Sequence, residues 1–451
     1  MFLMTTDIEA SISNNNIQTQ ILLFISLALL KPSLPDFKVK QPIDLPSNMS
    51  SPKEVRWGIL ATGGIAQTFT KDLGVDPKTR GVNNVKHVVV AAASSSSKSR
   101  AEQFLKDCNC PAEAEAYGSY EELVKDPNID IIYIATPHSH HYQNAMLALT
   151  AGKNVLCEKA FTTNAAQLKK LIAVAKEKNL FLMEAVWTRY FPLSIYVRDL
   201  IASGKIGKVA RVFADNSGSW IPVDNPETAD NKSRMVNLDL AGGPLLDMGI
   251  YALTWVFQTL YTTQDASTRQ SPSVISQMKK YGPTGSDEMV TMILSFPRSE
   301  ENGGAAHAIA TTSLRVGSNP DGKRETSGAS IRIQGDKGEI QVFPPAYRPT
   351  KTKLILTDGA VEEKEWPQPG PGKGSKWFNG FGVDQNSEGE GHGMFWEADE
   401  AATAVVEGRK EGKYESLEES LVIMEVMDEV RRQGGLVYPE EIETVEFPVD
   451  L

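Results

Sequence analysis

The sequence predicts an α/β protein with an N-terminal doubly wound parallel sheet and a C-terminal α+β part whose sheet is mainly antiparallel and open-faced. Three observations predict it. The apolar strand 55–60 runs into a Gly-rich turn and then a helix, as a Rossmann fold begins. Strands and helices alternate up to Met183, which predicts right-handed βαβ units. After Glu184, strand candidates follow one another with few helices.

A chain of 451 residues is longer than one ordinary core, so we expect two domains. Residues 53–183 are predicted to bind a nucleotide, and residues 184–451 to bind substrate and dimerise. Residues 1–52 are predicted to be a disordered or artefactual leader, with translation starting naturally at Met49; a short membrane-associating leader is the alternative. The apolar run Ile21–Leu30 is too short to span a bilayer as a helix, and we expect no stable membrane association.

Composition excludes several classes of function. The formal net charge of −11 argues against a nucleic-acid surface. Six His and three Cys predict no metal site, because Cys108 and Cys110 lack the spacing of zinc ligands. The scattered Cys indicate a reducing compartment, and we expect a cytoplasmic protein.

The Gly-rich turn predicts a pyrophosphate site, because a Gly lets the backbone approach the phosphates and the next helix presents free N–H groups. Ala61 and Ala66 stand where the first and third Gly of G-x-G-x-x-G usually lie. The cofactor contacts predicted at this turn come from Thr62, Gly63, Gly64, Ile65 and Ala66.

The end of the second strand predicts the type of cofactor. An NAD-binding domain usually has an Asp or Glu there for the ribose 2′-hydroxyl. This chain has Ser94, Ser95, Lys98 and Arg100 instead, and these suit a 2′-phosphate. We therefore expect NADP rather than NAD; a solvated Ser-rich loop is the alternative interpretation.

Two further motifs predict proton-transfer chemistry. Lys159 follows a buried strand, at the sheet edge where ligands bind. Asp247 and Tyr251 share a face if their segment is helical. An ammonium near Tyr251 favours the phenolate, so Lys159 and Tyr251 form a candidate pair for acid–base catalysis. The alternative is a surface Lys and a core aromatic residue.

Together with the segments 135–141 and 151–159 and the pair Gly242–Gly243, these motifs resemble the Gfo/Idh/MocA oxidoreductase family over residues 53–448. The segment 183–192 is similar to the branch of dimeric dihydrodiol dehydrogenases and NADP-dependent D-xylose 1-dehydrogenases, and the Gly-rich turn and the loop before His392 resemble its fungal members. Ala160 departs from the usual Glu-Lys-Pro, which puts the stiffness of that turn in doubt.

The resemblance implies roles for individual residues. Lys159 and Tyr251 would be catalytic, and Asp247 would support them. Substrate contacts would come from Trp187, Arg189, Arg234 and Tyr251. Further cofactor contacts would come from Thr136, Pro137, His138, His141, Glu158, Lys159, Trp187 and Arg189.

The implied reaction is oxidation of the C1 hydroxyl of D-xylose or a similar aldose to the 1,5-lactone, with hydride transfer to NADP. Oxidation of a trans-1,2-dihydrobenzene-1,2-diol is the alternative. A non-catalytic NADP-binding sensor is a third reading, against which the joint presence of Lys159, Asp247 and Tyr251 argues. The strands 305–314 and 329–334 carry apolar residues at both alternating sets of positions, so we expect a homodimer through this sheet.

Overall fold

Six parallel strands form the N-terminal sheet of this computed structural model, which describes residues 51–219, 232–321, 326–380 and 388–451. Its order is β3-β2-β1-β4-β5-β6. Most of the predicted leader lies outside the described residues. The strands are β1 Lys53–Leu60, β2 Val85–Ala93, β3 Glu115–Tyr117, β4 Ile131–Ile134, β5 Asn154–Glu158 and β6 Leu182–Ala185.

Helices alternate with these strands, as the hydrophobic pattern predicts. β4 is buried at every position, as in a sheet covered on both faces. The Rossmann prediction is therefore confirmed. The helices are α1 Gly64–Leu73, α2 Lys98–Asp107, α3 Tyr120–Lys125, α4 His138–Thr150 and α5 Ala165–Glu177.

The second sheet has eight strands in the order β14-β13-β12-β11-β7-β10-β9-β8. All its pairs are antiparallel except β7 with β10, so the prediction of a mainly antiparallel sheet is confirmed. Its strands are β7 Val209–Asp215, β8 Ser273–Lys280, β9 Asp287–Phe296, β10 Ala306–Ser313, β11 Ile331–Gly335, β12 Gly338–Val342, β13 Lys351–Leu356 and β14 Val361–Glu365.

One face of this sheet is buried and the other is open. Along β10, Ala306, Ala308 and Ala310 are buried, whereas His307 is exposed. α7 (Ile250–Leu260) is buried along its whole length and packs against β7 and β10. Among the described residues, the preceding α-helix is α6, Pro192–Ala202.

Two C-terminal helices return to the nucleotide-binding part. α8 (Phe395–Glu407) packs against α1, β1 and β2, and its Asp399 binds Arg80 and His87. α9 (Leu417–Gly434) packs against α5 and β8, and the short α10 (Glu440–Glu443) follows. Residues 51–451 form one compact unit, and the predicted division at residue 183 stays a prediction.

The segment Leu238–Leu260 is long and apolar enough to cross a membrane by length and composition, with a mean hydropathy of 1.3. It is 94% buried inside the protein, as the core helix of a soluble protein also is.

Candidate active site

The carboxyl ends of the parallel strands bring the predicted site residues to one sheet edge. The Gly-rich turn follows β1, His138 opens α4 after β4, and Lys159 follows β5. Trp187 begins a short 3₁₀ helix just after β6. The strand order reverses between β1 and β4, which is where a doubly wound sheet binds its ligand.

The Gly-rich turn has the geometry of a pyrophosphate site. α1 begins at Gly64, and no side chain caps its N-terminus. A Cβ placed on Gly63 or Gly64 meets no atom within 4 Å, so open space lies before the turn. Ala66 is fully buried, which allows the close packing expected at the third position of the motif. These residues fit the phosphates of a dinucleotide.

The end of β2 carries exposed cations. Ser94 is buried, while Ser95, Lys98 and Arg100 are exposed. Among the residues that the structure describes, neither Lys98 nor Arg100 has an ion-pair partner. Ser97 caps α2 by accepting a hydrogen bond from the N–H of Arg100. The predicted Ser-rich segment is thus the N-terminus of a helix with two available cations beside it, which suits a 2′-phosphate.

Lys159 and Asp247 form the ionic centre of the site. The Nζ of Lys159 donates to the carboxylate of Asp247 at 2.7 Å and to its backbone carbonyl at 2.8 Å. Arg234 Nη1 lies 3.3 Å from the same carboxylate oxygen. Burial alone would raise the pKa of Asp247, but Lys159 and Arg234 outweigh it and lower the pKa well below its ordinary value. The carboxylate is therefore charged throughout the physiological range.

His138 lies beside this ion pair without a charge of its own. Its Nε2 is 3.9 Å from Asp247 Oδ1, and its Nδ1 is 3.3 Å from the carbonyl of Ala241. Burial lowers the pKa of His138 to about 3, so the ring is neutral at pH 7. Thr136 and Pro137 precede it at the same edge, half-buried, where a cofactor fits.

Tyr251 lies on the other side of Lys159, at the start of α7. The Lys159 Nζ is 5.3 Å from the centroid of its ring. Asp247 lies in a π-helical turn, Leu245–Gly249, rather than in the predicted α-helix. That turn still leaves Asp247 and Tyr251 beside the same ammonium group. The indole Nε1–H of Trp187 donates to the Tyr251 hydroxyl at 2.6 Å.

The expectation that Lys159 lowers the pKa of Tyr251 is wrong for this arrangement. Burial, with the charges of Glu158 and Asp247, raises the pKa of Tyr251 well above 10, and the Trp187 hydrogen bond partly counteracts it. The nearby ammonium of Lys159 is paired with Asp247 and lies 5.3 Å from the centroid of the Tyr251 ring.

Arg189 is held by partners inside the protein, and its expected contacts with substrate and cofactor stay predictions. It is fully buried, and its guanidinium binds the carboxylate of Glu419 at 2.8 Å and the carbonyl of Tyr414. The guanidinium, two positions after Trp187 in sequence, points into the core between the 3₁₀ helix and α9.

Two other predicted cofactor contacts point into the protein. Both ring nitrogens of His141 lie 2.8 Å from backbone carbonyls, those of Ala160 and Thr136, so the side chain ties two strand ends together. The carboxyl group of Glu158 is buried and binds the hydroxyl of Tyr133. Both side chains are taken up by internal partners, and the predicted contacts of these two residues with the cofactor stay predictions.

The Lys159–Ala160 peptide bond is cis, at the position where the family usually has Pro.

Two aromatic residues at the site were not predicted. The ring of His392 stacks on Trp187, with centroids 4.7 Å apart and 23° between the planes. The ring of Tyr347 lies 6.0 Å from Tyr251 and 6.1 Å from Trp187. Neither carries a local sequence signal, since both are more than ninety residues from the nearest of these partners along the chain.

A dinucleotide-binding sheet edge joined to a half-buried Lys and a buried Asp and Tyr defines a class of protein, the dinucleotide-dependent oxidoreductases. Residues 55–186 match the family model described as "Oxidoreductase family, NAD-binding Rossmann fold", and residues 195–341 match the GFO/IDH/MocA C-terminal domain. The chain belongs to the Gfo/Idh/MocA family.

Similar proteins of this family cover almost the whole described chain. A D-xylose 1-dehydrogenase (NADP(+)) of Hypocrea jecorina is 52% identical over 399 residues, covering 87% of this chain and 95% of that protein. The human trans-1,2-dihydrobenzene-1,2-diol dehydrogenase is 34% identical over 387 residues, covering 86% of this chain and 99% of that protein.

Solved structures with the same fold are more distant in sequence. A levoglucosan dehydrogenase in complex with NADH and levoglucosan has a TM-score of 0.66 at 17% identity, over 85% of this chain and 98% of that one. An NAD binding oxidoreductase from Klebsiella pneumoniae has the same TM-score at 18% identity, over 84% and 96% of the two chains.

Proposed function

We propose that the protein is an NADP-dependent sugar dehydrogenase that oxidises the C1 hydroxyl of D-xylose or a similar aldose to the 1,5-lactone. The observation that carries the proposal is the cluster of Lys159, Asp247 and Tyr251 at the edge of a nucleotide-binding sheet. The 52% identity to a D-xylose 1-dehydrogenase (NADP(+)) supports the substrate and the cofactor.

In this proposal the protein supplies a base and holds the sugar. Tyr251, as the phenolate, takes the proton of the C1 hydroxyl. A general base must lie within hydrogen-bonding reach of the proton that it removes, so the C1 hydroxyl binds beside the Tyr251 oxygen. Lys159, fixed by Asp247, is placed to hold the same hydroxyl and the nicotinamide ribose. Bound NADP supplies the hydride acceptor, and positioning of the C1 atom against it accounts for much of the rate.

Arg234 and Trp187 are the proposed substrate contacts beside this base. The Arg234 side chain is 57% exposed and reaches Asp247, so it lies at the entrance of the site. Tyr347, half-buried beside Trp187 and Tyr251, offers an apolar face on which a sugar ring packs, and we add it to the substrate contacts.

The exposed Lys98 and Arg100 at the end of β2 support NADP over NAD. The absence of a carboxylate among residues 94–100 points the same way. A hydrogen bond to a phosphate from each cation is charge-assisted and strong.

Oxidation of trans-dihydrodiols is the second candidate. The 34% identity to the human dihydrodiol dehydrogenase favours it, and such diols also present a secondary carbinol beside a second hydroxyl. Purified protein assayed for NADPH absorbance with aldoses, polyols and a dihydrodiol tests both. A kcat/KM for D-xylose above that for the diol supports the proposal, and the reverse order contradicts it. NADP binding without turnover on any of them would favour the sensor.

We further propose that the enzyme is a cytoplasmic homodimer without stable membrane association. The three Cys are free, as in a reducing compartment. A row of apolar residues crosses the open face of the second sheet, with Ile275 opposite Ile293, Ile293 opposite Ile309, and Ile309 opposite Phe213. Ile275 and Ile293 are 65% and 45% exposed, so a second subunit has apolar surface to cover.

A further inference from the structure

The only side-chain hydrogen bond recorded for the Tyr251 hydroxyl in the described part of the chain comes from Trp187, not from Lys159. The Nε1···Oη distance is 2.6 Å, and both side chains are buried. An indole N–H is a donor only, so it stabilises the oxygen best when that oxygen carries negative charge. The orientation of the Trp187 ring therefore decides how well the phenolate is stabilised.

His392 lies flat against that ring. The two planes are 23° apart and the centroids 4.7 Å apart, and His392 is fully buried. Phe191 packs edge-on against the same indole at 5.5 Å. Burial lowers the pKa of His392 well below 6.5, so the ring is neutral and acts by shape.

The backbone around His392 is fixed to two different parts of the protein. The Asp72 carboxylate, near the end of α1, accepts from the N–H groups of His392, Gly393 and Met394 at 2.8–2.9 Å. Arg348 donates to the carbonyl of His392 at 2.7 Å. Gly393 has a φ of +109°, and a Cβ there would lie 2.7 Å from Phe191. The backbone of His392 is therefore anchored independently of Trp187.

We propose that His392 is a positioning residue, which holds the Trp187 indole so that its N–H binds the hydroxyl of Tyr251. The inference rests on the proposed function, in which Tyr251 is the base. It assigns the stabilisation of the phenolate to a Trp that is packed between His392 and Phe191, and it assigns to Lys159 the holding of substrate and ribose.

Among the groups around Tyr251, Trp187 is the one whose hydrogen bond to the hydroxyl oxygen favours the phenolate. Lys159 faces the ring and is paired with Asp247, which Arg234 also binds. The acidic groups that face Tyr251 raise its pKa. These groups are Glu158 of β5, Asp247 of the π-helical turn and Glu397 of α8; Tyr133 of β4 also faces it.

The test compares His392→Leu, which fills the space without a ring, with His392→Phe, which keeps a ring. We expect His392→Leu to lower kcat/KM by about 3- to 10-fold, the size of one aromatic contact. The alkaline rise of its pH profile should move up by roughly half a unit to one unit. His392→Phe should stay within about twofold of the wild type and keep its pH profile.

Trp187→Phe removes the donor together with part of the indole ring, and it gives the reference for losing the hydrogen bond to Tyr251. It should lower kcat/KM by about 10- to 100-fold, because a hydrogen bond to a charged group is lost. His392→Leu should then add little in the Trp187→Phe background. His87→Ala is the matched control, since His87 is another buried His that binds α8, at Asp399; it should lower the melting temperature without moving the pH profile.

A second readout is independent of turnover. The chain has seven Trp, and the indole N–H resonance of Trp187 is assigned in an NMR spectrum by its loss in Trp187→Phe. It should move in His392→Leu and Tyr251→Phe but not in His392→Phe. If neither the Trp187 resonance nor the pH profile moves in His392→Leu, the inference is overturned. It is also overturned if the losses of kcat/KM in His392→Leu and Trp187→Phe are fully additive. If Tyr251→Phe keeps the alkaline rise, the proposed function fails instead, and the resonance still tests the placement of Trp187.

Discussion

The ammonium of Lys159 binds Asp247 twice, through the carboxylate at 2.7 Å and the backbone carbonyl at 2.8 Å. The two residues are 88 positions apart in sequence. Lys159 follows β5 of the first sheet, and Asp247 lies in the turn before α7, which packs against the second sheet. The pair fixes the Lys159 side chain, whose Nζ lies 5.3 Å from the centroid of the Tyr251 ring. It also places the second half of the chain on the nucleotide-binding edge.

Asp247→Asn tests this pair, because it keeps the shape of the side chain and removes its charge. We expect kcat/KM to fall by about 10- to 100-fold, and stability to fall by about 3 kcal/mol because a buried ammonium loses its partner. The kcat/KM of the double variant Asp247→Asn, Lys159→Met should be only slightly lower than that of Asp247→Asn alone. Asp239→Asn, an exposed acid in the same segment, is the control. Wild-type kinetics in Asp247→Asn would show that the pair has no part in the reaction.

Lys98→Ala and Arg100→Ala test the cofactor. The wild type should prefer NADP over NAD by about 10-fold or more, since charge-assisted contacts are worth about 1.5–3 kcal/mol each. Each change should raise KM for NADP and leave KM for NAD unchanged. Lys106→Ala, at the other end of α2, should change neither. Equal efficiency of the wild type with both cofactors would contradict the assignment.

Ala61 has a φ of +91°, a conformation that favours Gly. Ala→Gly in a regular element costs about 0.5–1 kcal/mol. At Ala61 the relief of strain of about 1–3 kcal/mol offsets that cost, so Ala61→Gly should be at least as stable as the wild type. Ala66→Gly, inside α1, should lower stability by about 1 kcal/mol. Thermal unfolding of both variants tests this prediction. A melting temperature of Ala61→Gly below that of the wild type would contradict the proposed backbone strain at Ala61.

Ile293→Asp tests the homodimer. Ile293 is the middle of the apolar row on the open face, where a buried, unpaired charge strongly opposes association. We expect the wild type to scatter light as a dimer at micromolar concentration and Ile293→Asp as a monomer. Val361→Asp, on the exposed edge strand β14, should remain a dimer. A wild-type monomer would reject the proposed assembly.

The hydrophobic pattern was sufficient for most of the regular elements. Strands β2 and β5 and helix α8, which the pattern predicts over residues 86–93, 154–157 and 397–407, lie within two residues of those bounds. α2 and the three-residue β3 were not predicted. The Ser and charged residues at the start of α2 indicate a loop, and β3 is too short for a period.

The directions of side chains at the site were less predictable. Arg189 and Trp187 belong to the same motif, yet one enters the core and the other reaches Tyr251. The direction of the Arg189 side chain depends on its ion pair with Glu419, which is more than 200 residues later in the chain. His392 likewise is held at the site by contacts of its backbone with Asp72 of α1 and with Arg348. Such long-range pairs leave no local pattern in the sequence.

The pH dependence of kcat/KM in wild type and Tyr251→Phe, with NADP and D-xylose, tests the central claim most directly. Burial raises the pKa of Tyr251 well above 10. The fraction of phenolate, which accepts the proton, is therefore still increasing with pH everywhere below pH 10. The wild-type rate should therefore increase through the range from pH 7 to 10, and Tyr251→Phe should be about 10²–10⁴-fold slower without that increase. Near wild-type turnover in Tyr251→Phe, with the same rise, would contradict the account.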